Sequence, residues 1–218
     1  MNNNVETYSK FSDLDIHLFR EGKHFKIYEK LGSHVVTHQK QKGVYFAVWA
    51  PGATKVSVMG EFNGWNKESH SLNVRWDSSG IWEGFIPGLE EGTVYKYAIT
   101  TQTGDVLEKG DPYALSWEEP PRTASIVWSK KHAWRDKKWM QENRPQANDL
   151  KSPISVYEVH LGSWKKKLEA ENGFLSYREL AVDLVEYVKD LEFTHVEFMP
   201  VMEHPFFGSW GYQIHGYF

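Results

Sequence analysis

The chain has 218 residues, 40% of them hydrophobic and 25% charged, with a formal net charge of -4. That balance supports a packed core and excludes a disordered chain, and without a basic excess to neutralise phosphates no nucleic-acid partner is expected. There is no cysteine, which removes disulfides, thiolate metal sites and a cysteine nucleophile and points to a cytoplasmic protein.

Met1 to Glu6 is polar and lacks the apolar stretch of a signal peptide. No apolar run approaches the ~18–20 residues of a membrane span, so no membrane partner is expected. Residues 1–30 read as an N-terminal arm with two apolar patches, Leu14 to Phe19 and Phe25 to Leu31. The first suits a short amphipathic helix whose role is packing.

From Gly43 the pattern becomes that of strands. Val44 to Trp49 is rich in strand formers, Lys55 to Met59 alternates, and Asn63-Gly64 signals a turn. Ile81 to Ile86, Val94 to Ile99 and Ser125 to Trp128 continue the series, the first two each behind a glycine-containing turn. Short strands between turn residues imply an antiparallel, immunoglobulin-like β-sandwich over residues 31–128. The polar segment 129–152, with Pro145 inside it, reads as a linker.

Residues 153–218 follow another logic. Ile154 to His160 and Thr194 to Val201 read as strands, and Ser176 with Glu179 forms a capping box that opens a helix. Leu180, Leu184, Val188 and Leu191 recur at helical spacing, with Val185 beside them, as one buried face. Strand, helix, strand with a short turn at Glu192-Phe193 is a β-α-β unit, which requires a parallel sheet.

Aromatic residues are abundant: 10 Trp, 11 Tyr and 12 Phe. They are core material first, but their flat faces also suit the C–H faces of sugar rings. Trp65, beside the Asn63-Gly64 turn, is either a stacking platform or a core residue. In Gly208-Ser209-Trp210-Gly211-Tyr212-Gln213, the glycines allow unusual backbone angles and close approach, so the rings either meet a ligand or pack the loop. Glu158 and Glu197 on the strands are expected to anchor structural hydrogen bonds or to face solvent on alternate strand positions rather than to be catalytic, and Glu203 lies just beyond the second strand. His160 is expected to be a hydrogen-bonding structural residue. His132, His195, His204 and His215 lack ligand-like spacing, so neither metal nor cofactor is expected.

Two groups of residues carry a family likeness. Trp49-Ala50-Pro51, Gly60 to Trp65, Tyr95-Lys96-Tyr97 and Lys109 to Ala114 resemble, in that order, the family-48 carbohydrate-binding module. Tyr157 to Trp164, Ser176 to Ala181, Thr194 to Pro205 and Gly208 to Gln213 resemble the start of the catalytic barrel in the branching enzymes of glycoside hydrolase family 13. Phe207 departs from the pattern, where Asp or a small polar residue is expected before Gly208-Ser209.

The resemblance implies that residues 153–218 begin an amylase-type (β/α)8 TIM barrel, incomplete within this chain. It implies an activity that cleaves α-1,4-glucan and transfers the piece to a 6-hydroxyl, through a retaining covalent mechanism with two carboxyl groups about 5–5.5 Å apart. The family places its nucleophilic Asp, acid/base Glu and stabilising Asp on later strands, so no catalytic residue is expected here and the chain alone is expected to be inactive. The implied partner is α-1,4-glucan, as glycogen or amylose; the oligomeric state is left open. Tyr212 matches the tyrosine that stacks under the sugar at the cleaved bond, with Trp210 and Gln213 beside it. Trp65 and Lys96 match glucan contacts of related starch-sensing modules, although a further tryptophan used there has no counterpart in Thr101 to Leu107. A non-catalytic glucan-binding protein is the alternative of another class. A debranching or trehalose-forming relative is disfavoured by Glu203-His204-Pro205 together with Gly208 to Gln213.

Overall fold

Between Gln41 and Trp49 almost every residue is apolar, and the strand they form is buried on both faces. In the computed structural model, which describes residues 4–129, 132–168 and 173–217, this strand is central to the first of two compact units. The first unit comprises Met1–Lys130, Met202–Ser209 and Gln213–Phe218; the second comprises Lys131–Val201 and Trp210–Tyr212.

The first unit contains two antiparallel sheets. In one, β1 (Gly32–His38), β2 (Gln41–Trp49), β5 (Ile81–Pro87) and β4 (Asn73–Val74) lie side by side in that order. In the other, β6 (Val94–Thr101) pairs with β3 (Ala53–Gly60), with β7 (Val106–Lys109) along Tyr97–Thr100, and with β8 (Ser125–Ile126) at Val94 and Tyr95. Val44, Phe46, Val48, Trp82 and Ile86 of the first sheet pack with Val56, Val58, Tyr95 and Tyr97 of the second. The core is therefore the space between two sheets, built from alternate positions of each strand.

The opposite face of the first sheet is also covered. Tyr45, Ala47 and Ile81 cluster with Phe11 and Ile16 from the N-terminal arm and with Leu31 just after it. Helix α1 (Asp13–Arg20) places Ile16 there and is opened by a capping box in which Ser12 and Asp15 bond each other's backbone N–H. Burying a side chain such as Ile16 contributes about 1.5–3 kcal/mol.

In the second unit, β9 (Val156–Val159) and β10 (His195–Phe198) pair in parallel, Val156 opposite His195. Helix α3 (Leu161–Trp164) follows β9, and α4 (Tyr177–Asp190) runs between the strands. Its capping box, Ser176 with Glu179, is formed on both sides. Leu180, Leu184 and Val188 are buried, the last two against Val159.

Several expectations change. Val185 and Leu191, expected on the buried face of the helix, are 54% and 51% exposed. Val185 lies one position round from Leu184, outside the buried arc, and Leu191 is the C-cap. Strands β1, β4 and β7 escaped the sequence reading; β7 is exposed at all four residues, so only its pairing with β6 defines it. The segment read as a linker carries a π-helical stretch, Trp139–Asn143, that runs into α2 (Arg144–Ala147). Among the described residues no helix is long and apolar enough to cross a membrane.

Candidate functional site

Parallel pairing puts the C-terminal ends of β9 and β10 on one side of the second unit. His160 follows β9 directly, and its Nδ1 shares a 2.8 Å hydrogen bond with Ser163 Oγ. Beyond β10 the Met199 N–H donates to Val159 O at 2.9 Å, tying the two strand ends together. Gly211 has φ +81, and a Cβ there would stand 2.8 Å from Pro200 O. Only glycine lets the backbone pass that close to the end of β10.

The preceding residue, Trp210, also has positive φ, and its ring stacks on His160 at 4.8 Å and 20°. Trp210 remains 52% exposed and Tyr212 67%. The loop thus holds one aromatic ring against a histidine and leaves the next open to solvent. Gln213 belongs to the first unit and is exposed. Glu158 and Glu197 are register partners on β9 and β10, both exposed, and Glu203 is exposed in the first unit. Among the described residues no group of three His, Cys, Asp or Glu is placed to hold a metal ion.

In the first unit Trp65 and Lys96 fall at one end of the β3–β6 pair. Lys96 lies opposite Met59, and Trp65 N–H donates to Gly60 O, the next residue along β3, at 2.8 Å. Asn63 fixes the intervening turn: its Oδ1 accepts from Gly60 N–H and its Nδ2 donates to Val58 O. Gly64 and Trp65 both have positive φ, which lifts Trp65 clear of the strand, half-exposed. Lys96 Nζ donates to Thr123 Oγ1 at 2.9 Å. Nearby, Lys67 pairs with Glu108 at 2.6 Å, and its hydrogen bond lowers the Glu108 carboxyl.

Two buried polar centres were not anticipated. Asp111 is wholly buried; its Oδ2 accepts from Tyr95 and Tyr97 hydroxyls at 2.7 and 3.0 Å, and its Oδ1 from Tyr113 N–H at 2.8 Å. Burial pushes its carboxyl up to about 6 although those bonds pull the other way. Under the N-terminal arm, Glu83 accepts from Tyr45 OH at 2.5 Å, Ser9 Oγ at 2.9 Å and Arg75 Nη1 at 2.6 Å. Arg75 Nε donates to Asp77 Oδ2 at 2.8 Å. Beside this network Trp76 is 85% exposed. Its position beside the Asp77-Ser78-Ser79-Gly80 turn, as Trp65 stands beside the Asn63-Gly64 turn, was the available signal.

Residues 30–114 match the model of carbohydrate-binding module 48 (Isoamylase N-terminal domain). The chain is 52% identical over 211 residues to the 1,4-alpha-glucan branching enzyme GlgB of Gloeobacter violaceus, covering 96% of this chain and 29% of that protein. It is 51% identical over 214 residues to the Aquifex aeolicus enzyme of the same name, covering 98% and 34%. The chain therefore spans about a third of the length of the curated relatives it matches. In fold it is similar to a putative alpha amylase from Salmonella typhimurium, with TM-score 0.58 and 23% identity over 85% of this chain and 27% of that one. The GBS pullulanase SAP in complex with maltotetraose gives 0.55 and 20%, over 81% and 24%. With a match to carbohydrate-binding module 48 at residues 30–114 and about half of its residues identical along nearly its whole length, the chain corresponds to the N-terminal portion of the 1,4-alpha-glucan branching enzymes it matches.

Proposed function

We propose that the protein carrying this chain is a 1,4-α-glucan branching enzyme acting on glycogen or amylose in the cytoplasm. The observation that carries the reading is the 52% and 51% identity to enzymes of that name over almost all of this chain. In the reaction a carboxylate attacks the anomeric carbon while a carboxylic acid protonates the departing glycosidic oxygen. The 6-hydroxyl of an acceptor chain then displaces the enzyme carboxylate, losing its proton to the same acid/base group. Those carboxylates belong to the part of such enzymes that this chain does not span.

Residues 153–218 supply the first β-α-β unit of a (β/α)8 barrel. The parallel pair β9–β10 supports this, as does an apolar groove of about 340 Å³ beside α4, lined by residues such as Leu161, Leu180, Phe198 and Val201. Active sites of such barrels open at the C-terminal ends of the strands, where Trp210 and Tyr212 lie. Tyr212 offers its exposed ring to the sugar at the cleaved bond, Trp210 walls the same loop, and Gln213 hydrogen-bonds nearby. Trp65 and Lys96 form a second contact with glucan on the sandwich of residues 31–128, which the arm 1–30 precedes and the segment 129–152 joins to the barrel.

The test is a chimera in which this chain replaces the matched portion of the Aquifex aeolicus enzyme. Branching of amylose, read as loss of iodine absorbance and gain of α-1,6 linkages, is the expected result; the purified chain alone gives none. A folded chimera without branching activity overturns the proposal. Trp65 and Lys96, at one end of the β3–β6 pair, favour one rival, a non-catalytic glucan-binding protein. Glycogen binding by the chain combined with an inactive chimera would establish it.

A further inference from the structure

We infer that a groove between the N-terminal arm and the edge strand β4 is a further glucan-binding subsite, with the Trp76 indole as its platform. The identity of the sugar rests on the reading given above; the site itself rests on the geometry. The outer edge of β5 is held at two places: β4 pairs with it at Trp82 and Glu83, and Glu6 bridges to Phe85. From Thr7 onward the arm runs alongside β4, with Ser9 bonded to Glu83. A groove of about 400 Å³ opens there, lined by Thr7, Ser9, Asn73, Arg75, Trp76 and Glu83, within the size range of small-ligand sites.

The two sides of this groove differ in chemistry. Trp76 gives a large rigid apolar face that is 85% exposed. Below it the polar groups are fixed in place, because Glu83 is held by Ser9, Tyr45 and Arg75, and Arg75 by Asp77. The guanidinium charge is balanced by two carboxylates, and Asp13 adds a third acid to the lining. Such a groove does not favour an anion. A flat apolar wall beside fixed donors and acceptors suits a neutral polyhydroxylated ring, stacked by its C–H face and bonded through its hydroxyls. The site is separate from that of Trp65, which lies at the end of the other sheet.

The test uses the 218-residue chain and its Trp76→Ala, Trp76→Phe, Trp65→Ala and double-alanine variants. Binding is measured by calorimetric titration with maltoheptaose and by retardation in glycogen-containing native gels, with thermal melts confirming that each variant is folded. Trp76→Ala is expected to weaken maltoheptaose binding roughly two- to tenfold in both the wild-type and the Trp65→Ala backgrounds, in line with the loss of one aromatic contact. Trp76→Phe is expected to recover part of it. Unchanged binding on Trp76→Ala in both backgrounds overturns the groove and leaves the glucan reading standing. A wild-type chain that binds neither ligand overturns both.

Discussion

Replacing Asp111 by asparagine keeps the shape of a wholly buried group and removes its ability to titrate. Alanine would confound the experiment by leaving the Tyr95 and Tyr97 hydroxyls and the Tyr113 N–H without an acceptor, at about 1–3 kcal/mol each. Burial raises the Asp111 carboxyl from 3.8 to about 6 in the folded chain. Taking the ordinary value for the unfolded chain, the folded state holds the proton more tightly. The resulting stabilisation is fully present below about pH 4 and is lost as the pH rises through about 6. A difference of about two pH units corresponds to about 3 kcal/mol. Urea unfolding followed by tryptophan fluorescence, from pH 4 to 7.5, measures this in wild type and Asp111→Asn. Other groups titrate alike in both proteins and cancel in the difference. The stability of wild type relative to the variant is expected to fall by about 2–2.5 kcal/mol across that range, the remainder being lost below pH 4. A difference that stays flat or grows with pH would refute the reasoning, since it would mean that the tyrosine hydroxyls outweigh burial and hold the carboxylate ionised.

Two further changes probe other parts of the chain. Arg75→Met leaves the Glu83 carboxylate buried with only Ser9 and Tyr45 as partners; it should cost about 3–5 kcal/mol in urea unfolding, and adding Glu83→Gln should restore part of that. Gly211→Ala forces a side chain onto φ +81 with its Cβ 2.8 Å from Pro200 O, a strain of about 1–2 kcal/mol; in the chimera it should lower branching by about tenfold, and the unfolding of the chain should show a loss of stability of that same size.

The parts of the fold legible in the sequence are those whose neighbours in sequence are also neighbours in space. The apolar runs of β2, β3 and β5 announce strands buried between layers, and Ser176 with Glu179 announces the start of α4. Strands β1, β4 and β7 lie at sheet margins, where one flank lacks a partner strand and the side chains carry little apolar alternation. The site divides in the same way. Trp65 stands out because a turn precedes it, and the Gly208 to Gln213 loop because its glycines bracket aromatic rings. The stacking of Trp210 on His160 joins the loop after β10 to the residue that follows β9, so only folding reveals it. The Arg75–Glu83 pair depends on β4 meeting β5 in one register, and no local pattern marks it.

The arm that covers β2 and β5 has a consequence for how this module can be moved between proteins. The segment that matches carbohydrate-binding module 48 runs from 30 to 114. Phe11 and Ile16 lie before it, and Ser125–Ile126, which completes the pairing of β6, lies after it. A graft cut at those borders would carry the core between the sheets but shed its outer lining, turning the Tyr45–Ile81 surface into an adhesive one. The unit that stays dry is thus longer than residues 30–114, and a graft that respects only those borders is expected to aggregate.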